Sequence, residues 1–255
     1  MSAPRSVPLT LTMTWRAWQQ QGAGIALLAV AAGIMLGAGT LLLQGGVNGL
    51  PAELPASILT LAQVTQRGEV VQVNTFMVAF SPVLLTLLCA LLATIITPSV
   101  VSEDLRGGLL EVLLSTPLAK AQIFSAYLGA ALLLTGLCWG LCSLALLLTW
   151  AALTHLLPLG LGLSLSPTLA WILTALPLSM TLWSAAVMLG GALLYPRTLD
   201  GSAGVGGSPA RLLALAPSVL LMPAMVLASQ HLGPLLLGGL VGLAALSIAG
   251  DVPGD

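Results

Sequence analysis

Lysine occurs once in this chain, at Lys120, and histidine twice, at His155 and His231. Charged side chains make up only 6% of the 255 residues, against about 25% in an average soluble domain. Each shortage removes a class of chemistry. A phosphate-binding P-loop needs a lysine followed by Ser or Thr after a Gly-rich turn. Lys120 is followed by Ala121 and preceded by "TPLA", so the chain is not expected to bind ATP itself. There is no H-E-x-x-H pair, and no nucleophile has a base near it in sequence. No catalytic or metal-ligating residue is therefore expected. The three cysteines, Cys89, Cys138 and Cys142, all fall in apolar runs. Cys138 and Cys142 stand one helical turn apart, which allows a disulfide or a metal site. Free Cys also packs as a small hydrophobe, and that reading is preferred. With a net charge of -1 and no basic patch or arm, nothing points to nucleic acid.

What fills the chain instead is apolar: 58% of its residues are hydrophobic. About 20 consecutive apolar residues cross a bilayer core of about 30 Å. Runs of that kind occur near 22–43, 76–101, 125–153, 167–194, 212–228 and 233–249, the last two short for the task. They are continuous rather than alternating, which excludes β-barrel strands. The expected fold is an all-α polytopic membrane protein, one transmembrane domain over 1–255 with six transmembrane helices. The first run is longer than the apolar core of a signal peptide, about 7–15 residues. It also lacks a convincing small-residue cleavage pattern, so it reads as an uncleaved span.

Charge is missing in a further, more informative place. No Asp, Glu, Lys or Arg lies well inside any predicted span. Proton-coupled carriers usually hold an ionisable group there, so this chain has no evident way to harvest a proton gradient. Sodium sites built from carbonyls and hydroxyls stay open. The few cations set an orientation by the positive-inside rule. With the amino terminus in the cytoplasm, Arg5, Arg16, Arg106, Lys120, Arg197 and Arg211 are cytoplasmic and only Arg67 is outside. Both termini are then cytoplasmic, in a plasma (inner) membrane.

The connections differ in character. Residues 44–75 form a long external loop, in which "ASILTLAQV" suits a short amphipathic helix. The outer connection "THLLPLGLGLSLSP" is too apolar for a comfortable solvated loop. The cytoplasmic stretch "YPRTLDGSAGVGGSPAR" reads as a Gly/Ser/Pro linker. Before the first span, Val7, Leu11, Trp15 and Trp18 recur at helical spacing. This predicts an amino-terminal helix over 1–21 lying in the cytoplasmic interface, where Trp sits well. Within the second span, Thr86, Thr94 and Thr97 share one face. They are candidates to line a path, together with Pro217 and Met222 of the fifth span. The competing reading is that each hydroxyl bonds its own helix backbone or glues helices. Pro217 and Pro223 are expected to kink or weaken the fifth span.

The stretch "SEDLRGGLLEVLLSTPLAK" concentrates charge and leucine together. Four of the chain's few charged residues, Glu103, Asp104, Arg106 and Glu111, fall between Glu103 and Glu111, and Lys120 closes the stretch. Pro98 marks a bend at the membrane exit. The helix continues through Glu103, Asp104 and Arg106, and Gly107 and Gly108 then break it, as Gly commonly does past a helix end. A short helix at 109–114 follows. Thr116 and Pro117 suit the start of the next helix as cap and first turn. Leu109, Leu110, Val112, Leu113 and Leu114 surround that short helix almost completely. A helix apolar all round must be covered, and one this short cannot span lipid.

"EDLRGGLLEVLLSTPLAKAQIF" resembles the first cytoplasmic loop of ABC-2 type transporter permeases. Glu103, Arg106, Gly108, Leu110, Glu111, Leu113, Leu114, Thr116 and Pro117 match that family's pattern. The motif covers a small part of the chain; the six-span layout extends the likeness loosely. In that family the short helix is the coupling helix, seated on a separate ATPase subunit, and the amino-terminal helix is the elbow. The resemblance implies that Gly108, Leu109, Leu110, Glu111, Val112, Leu113, Leu114, Ser115, Thr116 and Pro117 contact an ABC-type ATPase. Pro98, Glu103, Asp104, Arg106 and Gly107 would form a hinge near Trp15 and Arg16 of the elbow. It further implies a second permease subunit, identical or related, and ATP with Mg held by the partner ATPase rather than by this chain. Export of an amphipathic or apolar small molecule, peptide or lipid is expected. The alternatives are a haem-exporter permease of cytochrome c maturation, a secondary transporter or channel without an ATPase, and a structural or sensor membrane protein.

Overall fold

Uncharged stretches rich in Leu and Ala can satisfy their backbone only internally once water is removed, and the helix does this within one segment. A computed structural model describes residues 7–42, 54, 56–106, 115, 120–157, 159–194 and 209–227. Along them run α1 (Val7–Leu42), α2 (Ala56–Leu61), β1 (Ala62–Gln66), β2 (Glu69–Val70), α3 (Gln72–Arg106), α4 (Lys120–Ala151), β3 (Leu161–Leu165), α5 (Pro167–Leu194) and α6 (Pro209–Leu227). A π-helical turn, Ala152–Leu156, extends α4. Four helices contain stretches long and apolar enough to cross a membrane: Thr10–Leu42, Gln72–Pro98, Ser125–Leu156 and Pro167–Gly190. These correspond to the first four expected spans. The apolar stretch in α6, Arg211–Leu220, is shorter. The expected sixth span at 233–249 lies outside the described residues.

The amino-terminal expectation takes a different form. Among the described residues the segment before the first span is not a separate helix: Val7–Leu42 is one unbroken helix of 36 residues. At about 1.5 Å per residue it is about 54 Å long, well beyond an apolar core of about 30 Å. Gln19, Gln20 and Gln21 look like a boundary, yet Gln is a good helix former and does not end a helix. Trp18 lies against Gly22, where an added Cβ would fall 2.4 Å from its ring.

α1 and α4 run in the same direction and pack along most of their length. Thr10 meets Gly129 near one end, Gly33 meets Cys142 in the middle, and Thr40 meets Trp150 near the other. Gly33 and Gly37 make that approach possible. A Cβ on Gly33 would sit 2.3 Å from the Cys142 carbonyl oxygen. Small residues at a four-residue interval are a common device where helices approach closely in membranes. α3 and α5 run the opposite way, and α6 joins them through Ser184, which donates to the Ala214 carbonyl at 2.9 Å. Cys89 of α3 and Cys142 of α4 lie in the same buried core. All three cysteines are free and buried, as expected of small packing residues.

The expectation of an all-helical chain is corrected at one end of the bundle. A three-stranded antiparallel sheet, in the order β2-β1-β3, caps the ends where α1 finishes and α3 and α5 begin. Residue 62 pairs with 165 and residue 66 with 161, so the two connections expected to lie outside are knitted together. "ASILTLAQV" is helical only over Ala56–Leu61; its remainder belongs to β1. β1 and β2 join through Arg67 and Gly68, both at positive φ, 53° and 90°. A tight hairpin of this hand needs such values. Gly adopts them freely, whereas Arg67 must be held, and its N–H donates to the Gly160 carbonyl at 3.1 Å.

Candidate functional site

The second spanning helix, α3, carries most of the candidate residues, and two prolines interrupt its hydrogen bonding. A proline inside a helix removes the donor to the carbonyl four residues back. For Pro82 that carbonyl belongs to Val78. Ser81, directly before the proline, donates its Oγ to the Val78 oxygen at 2.7 Å and replaces the missing amide. Pro98 removes the donor to Thr94 in the same way. Thr97 stands where Ser81 stands, but its buried Oγ1 has no partner among the described residues. The hydroxyl bond made beside the first proline is thus not repeated by Thr97 beside the second. The helix nevertheless continues through Pro98 to Arg106, so any bend there does not end it. The expected break at Gly107 and Gly108 lies outside the described residues.

The threonine stripe is present, and it faces inward. Thr86, Thr94 and Thr97 are all buried within this single chain. Thr86 donates to the Pro82 carbonyl at 2.6 Å and Thr94 to Leu91 at 2.8 Å. The two made bonds are the local backbone bonds of the competing reading. Thr181 of α5 repeats this, donating to the Pro177 carbonyl. On α6, Pro217 is half-buried and Met222 lies in the helix. α6 stays helical through both Pro217 and Pro223.

The segment expected to couple to an ATPase falls largely outside the described residues. That holds for Gly107, Gly108, Leu109, Leu110, Glu111, Val112, Leu113 and Leu114, and for Thr116 and Pro117. Ser115 is helical and exposed. Glu103, Asp104 and Arg106 occupy the last turn of α3, and α4 resumes at Lys120. The segment therefore leaves and re-enters the bundle at the end opposite the sheet. Trp15, 63% exposed, and the exposed Arg16 lie in the early turns of α1, towards that same end.

A polar cluster missed in the sequence reading binds the sheet end. Asn74, buried near the start of α3, donates from Nδ2 to the carbonyls of Thr40 at 3.2 Å and Leu41 at 2.6 Å. These belong to the last turn of α1, whose carbonyls have no helical donor. Trp150 Nε1 donates to Thr40 Oγ1 at 2.9 Å, which itself donates to Gly37. Thr75 Oγ1 accepts from the Val64 N–H of β1 at 3.0 Å. Three helices and the sheet are thus tied at one level. The signal was a lone amide, Asn74, at the edge of an apolar run. Replacing Asn74 by Ala leaves buried carbonyls unpaired and is expected to cost about 1–2 kcal/mol. Thermal unfolding in detergent should show the loss, and a transition temperature unchanged from wild type contradicts the role given to Asn74.

On the outer surface, a groove of about 360 Å³ runs between α1 and α4, lined by residues such as Val30, Ile34, Leu144 and Leu148. It is apolar and open to the side. Among the described residues no group of His, Cys, Asp and Glu could hold a metal ion.

Taken together these features define a mostly helical protein with the composition and helix lengths of a membrane protein. In comparisons with protein-family models, curated proteins and solved structures, nothing matches this chain.

Proposed function

We propose that this chain is a permease subunit of an ABC-2 type exporter, moving an amphipathic or apolar cargo with ATP hydrolysed by a separate subunit. The observation that carries the reading is the segment after α3: charge, paired glycines, a leucine-covered short stretch, then Thr-Pro. Its finer parts are six spans, a coupling helix at 109–115 and cytoplasmic termini. The first turns of α1 take the place of the elbow. Arg16, Arg106, Lys120 and Arg211 belong to helix ends opposite the sheet, and Arg67 lies in the sheet. By the positive-inside rule the coupling end is cytoplasmic and the sheet is outside.

In the proposed cycle ATP draws two ATPases together, and each moves the coupling helix seated on it. α3 receives this motion at Arg106 and yields at Pro98, which cannot donate to the Thr94 carbonyl and where Thr97 makes no bond of the Ser81 kind. A partner permease completes the path. The apolar interior, without a charged residue well inside any described span, suits a greasy cargo better than an ion. The proposal expects a gene for a P-loop ATPase beside this one, and it is tested by expressing the tagged chain with that ATPase. The ATPase should stay bound through purification, and its complete loss contradicts the reading.

Pro98 offers a sharper check. Pro98→Ala returns an N–H to the Thr94 carbonyl and stiffens α3. Transport in vesicles is expected to fall several-fold while ATPase association is kept. Transport at the wild-type rate contradicts a hinge at this residue.

A further inference from the structure

The sheet at the end of the bundle is unlike on its two sides. Its β2 edge carries Arg67 and Glu69, both exposed. Its β3 edge carries no charge at all. Between Lys120 and Arg197 the sequence has no Asp, Glu, Lys or Arg, so α4 beyond its first residue, β3 and α5 form one uncharged unit. Around β3 the apolar side chains stay open. Leu156 is 80% exposed, Leu157 and Leu159 lie on the surface beside it, and Trp171 on the second turn of α5 is 65% exposed. These continue the outward leucines of α4, Leu144, Leu147 and Leu148, which face lipid if α4 crosses the membrane.

Two constraints fix where such an edge can sit. β3 pairs with β1 on one side only among the described residues, so half its backbone groups point away from the sheet. Open strand edges are not tolerated facing hydrocarbon, because each unpaired group costs several kcal/mol there. The edge therefore cannot lie deep. Leu156, Leu157, Leu159 and Trp171 form a cluster that would be poorly placed in bulk water. The layer that meets both demands is the headgroup boundary, where polar groups can pair with the edge and apolar side chains can reach the acyl region. Trp is enriched at that depth.

We propose that the β3 edge and its approach, 156–157 and 159–165, form a membrane-surface anchor that rests in the headgroup layer. The side chains of Leu156 and Leu159 reach about 5–10 Å below it. The partner is the lipid surface itself. The β1–β2 turn at Arg67 and Gly68 then stands in water at the opposite edge, so the cap is tilted and not symmetric about the bundle. Anchoring requires only that the chain spans a membrane. It is independent of the ATPase and of transport.

Nitroxide labels on single added cysteines read this directly. The native Cys89, Cys138 and Cys142 are buried, and the unmodified chain gives their background labelling. Leu156→Cys, Leu159→Cys and Glu69→Cys are labelled in lipid nanodiscs and relaxed with oxygen or with a water-soluble nickel chelate. Labels at 156 and 159 should favour oxygen over nickel several-fold more than the label at 69. Equal nickel access at 159 and 69 overturns the proposal and makes the segment an aqueous loop. Low access to both reagents, with spin–spin broadening that disappears on dilution with unlabelled chain, overturns it in favour of pairing between two copies.

Discussion

The double replacement Leu110→Asp and Leu113→Asp is expected to remove a bound ATPase from the purified chain while leaving membrane insertion intact. The physical reason is local. Leu109, Leu110, Val112, Leu113 and Leu114 surround a short stretch that cannot cross lipid and has few polar positions. Burying one leucine against a partner is worth about 1.5–3 kcal/mol. Replacing two by carboxylates forfeits that and adds the cost of desolvating two charges. A loss of about 4 kcal/mol or more corresponds to a fall in affinity of about a thousandfold. Insertion should survive, because the substitutions lie beyond the ends of α3 and α4 and alter no spanning stretch. Co-purification checks the first outcome, and membrane fractionation with monodisperse elution checks the second. Retention of the ATPase at the wild-type level contradicts the docking role.

The second large effect concerns the fold itself. Gly33→Leu should separate α1 from α4. Even the first carbon of the new side chain would lie 2.3 Å from the Cys142 carbonyl oxygen, a backbone atom that cannot swing aside. Overpacking a tight site costs about 1–3 kcal/mol and occasionally more, and the upper part of that range is expected because the obstacle is backbone. Gly39→Leu is the control, since nothing lies within 4 Å of a Cβ there. A lowered thermal transition for Gly33→Leu with a near wild-type transition for Gly39→Leu supports the packing described. Equal behaviour of the two variants contradicts it.

The contrast between those two glycines shows where sequence reading stopped. The four long apolar helices were legible because their runs are long and nearly uncharged, and α5 starts where its run does, at Pro167. The close approach at Gly33 was not legible, because glycines 33 and 39 look alike until a neighbouring helix is placed. The sheet was hidden for a similar reason. "LGLSL" alternates as a strand does, but its partner lies about a hundred residues earlier in the chain, and local pattern carries no pairing information. The unbroken α1 was missed because its polar Gln run interrupts hydropathy without interrupting helix propensity. Of the candidate site, the threonine face could be drawn from spacing alone. That it faces inward, with Thr86 and Thr94 bonded to their own helix, could not. The coupling segment rests on its motif, bracketed by the observed ends of α3 at Arg106 and α4 at Lys120.

The central claim is that this chain is a membrane subunit driven by an engine it does not carry. Reconstitution into vesicles tests it most directly, with cargo classes screened by uptake and by stimulated ATP hydrolysis. The account predicts that the chain alone moves nothing under a proton or sodium gradient. It also predicts ATP-dependent, cargo-stimulated transport when the partner ATPase is added. Gradient-driven transport by the chain alone would contradict it.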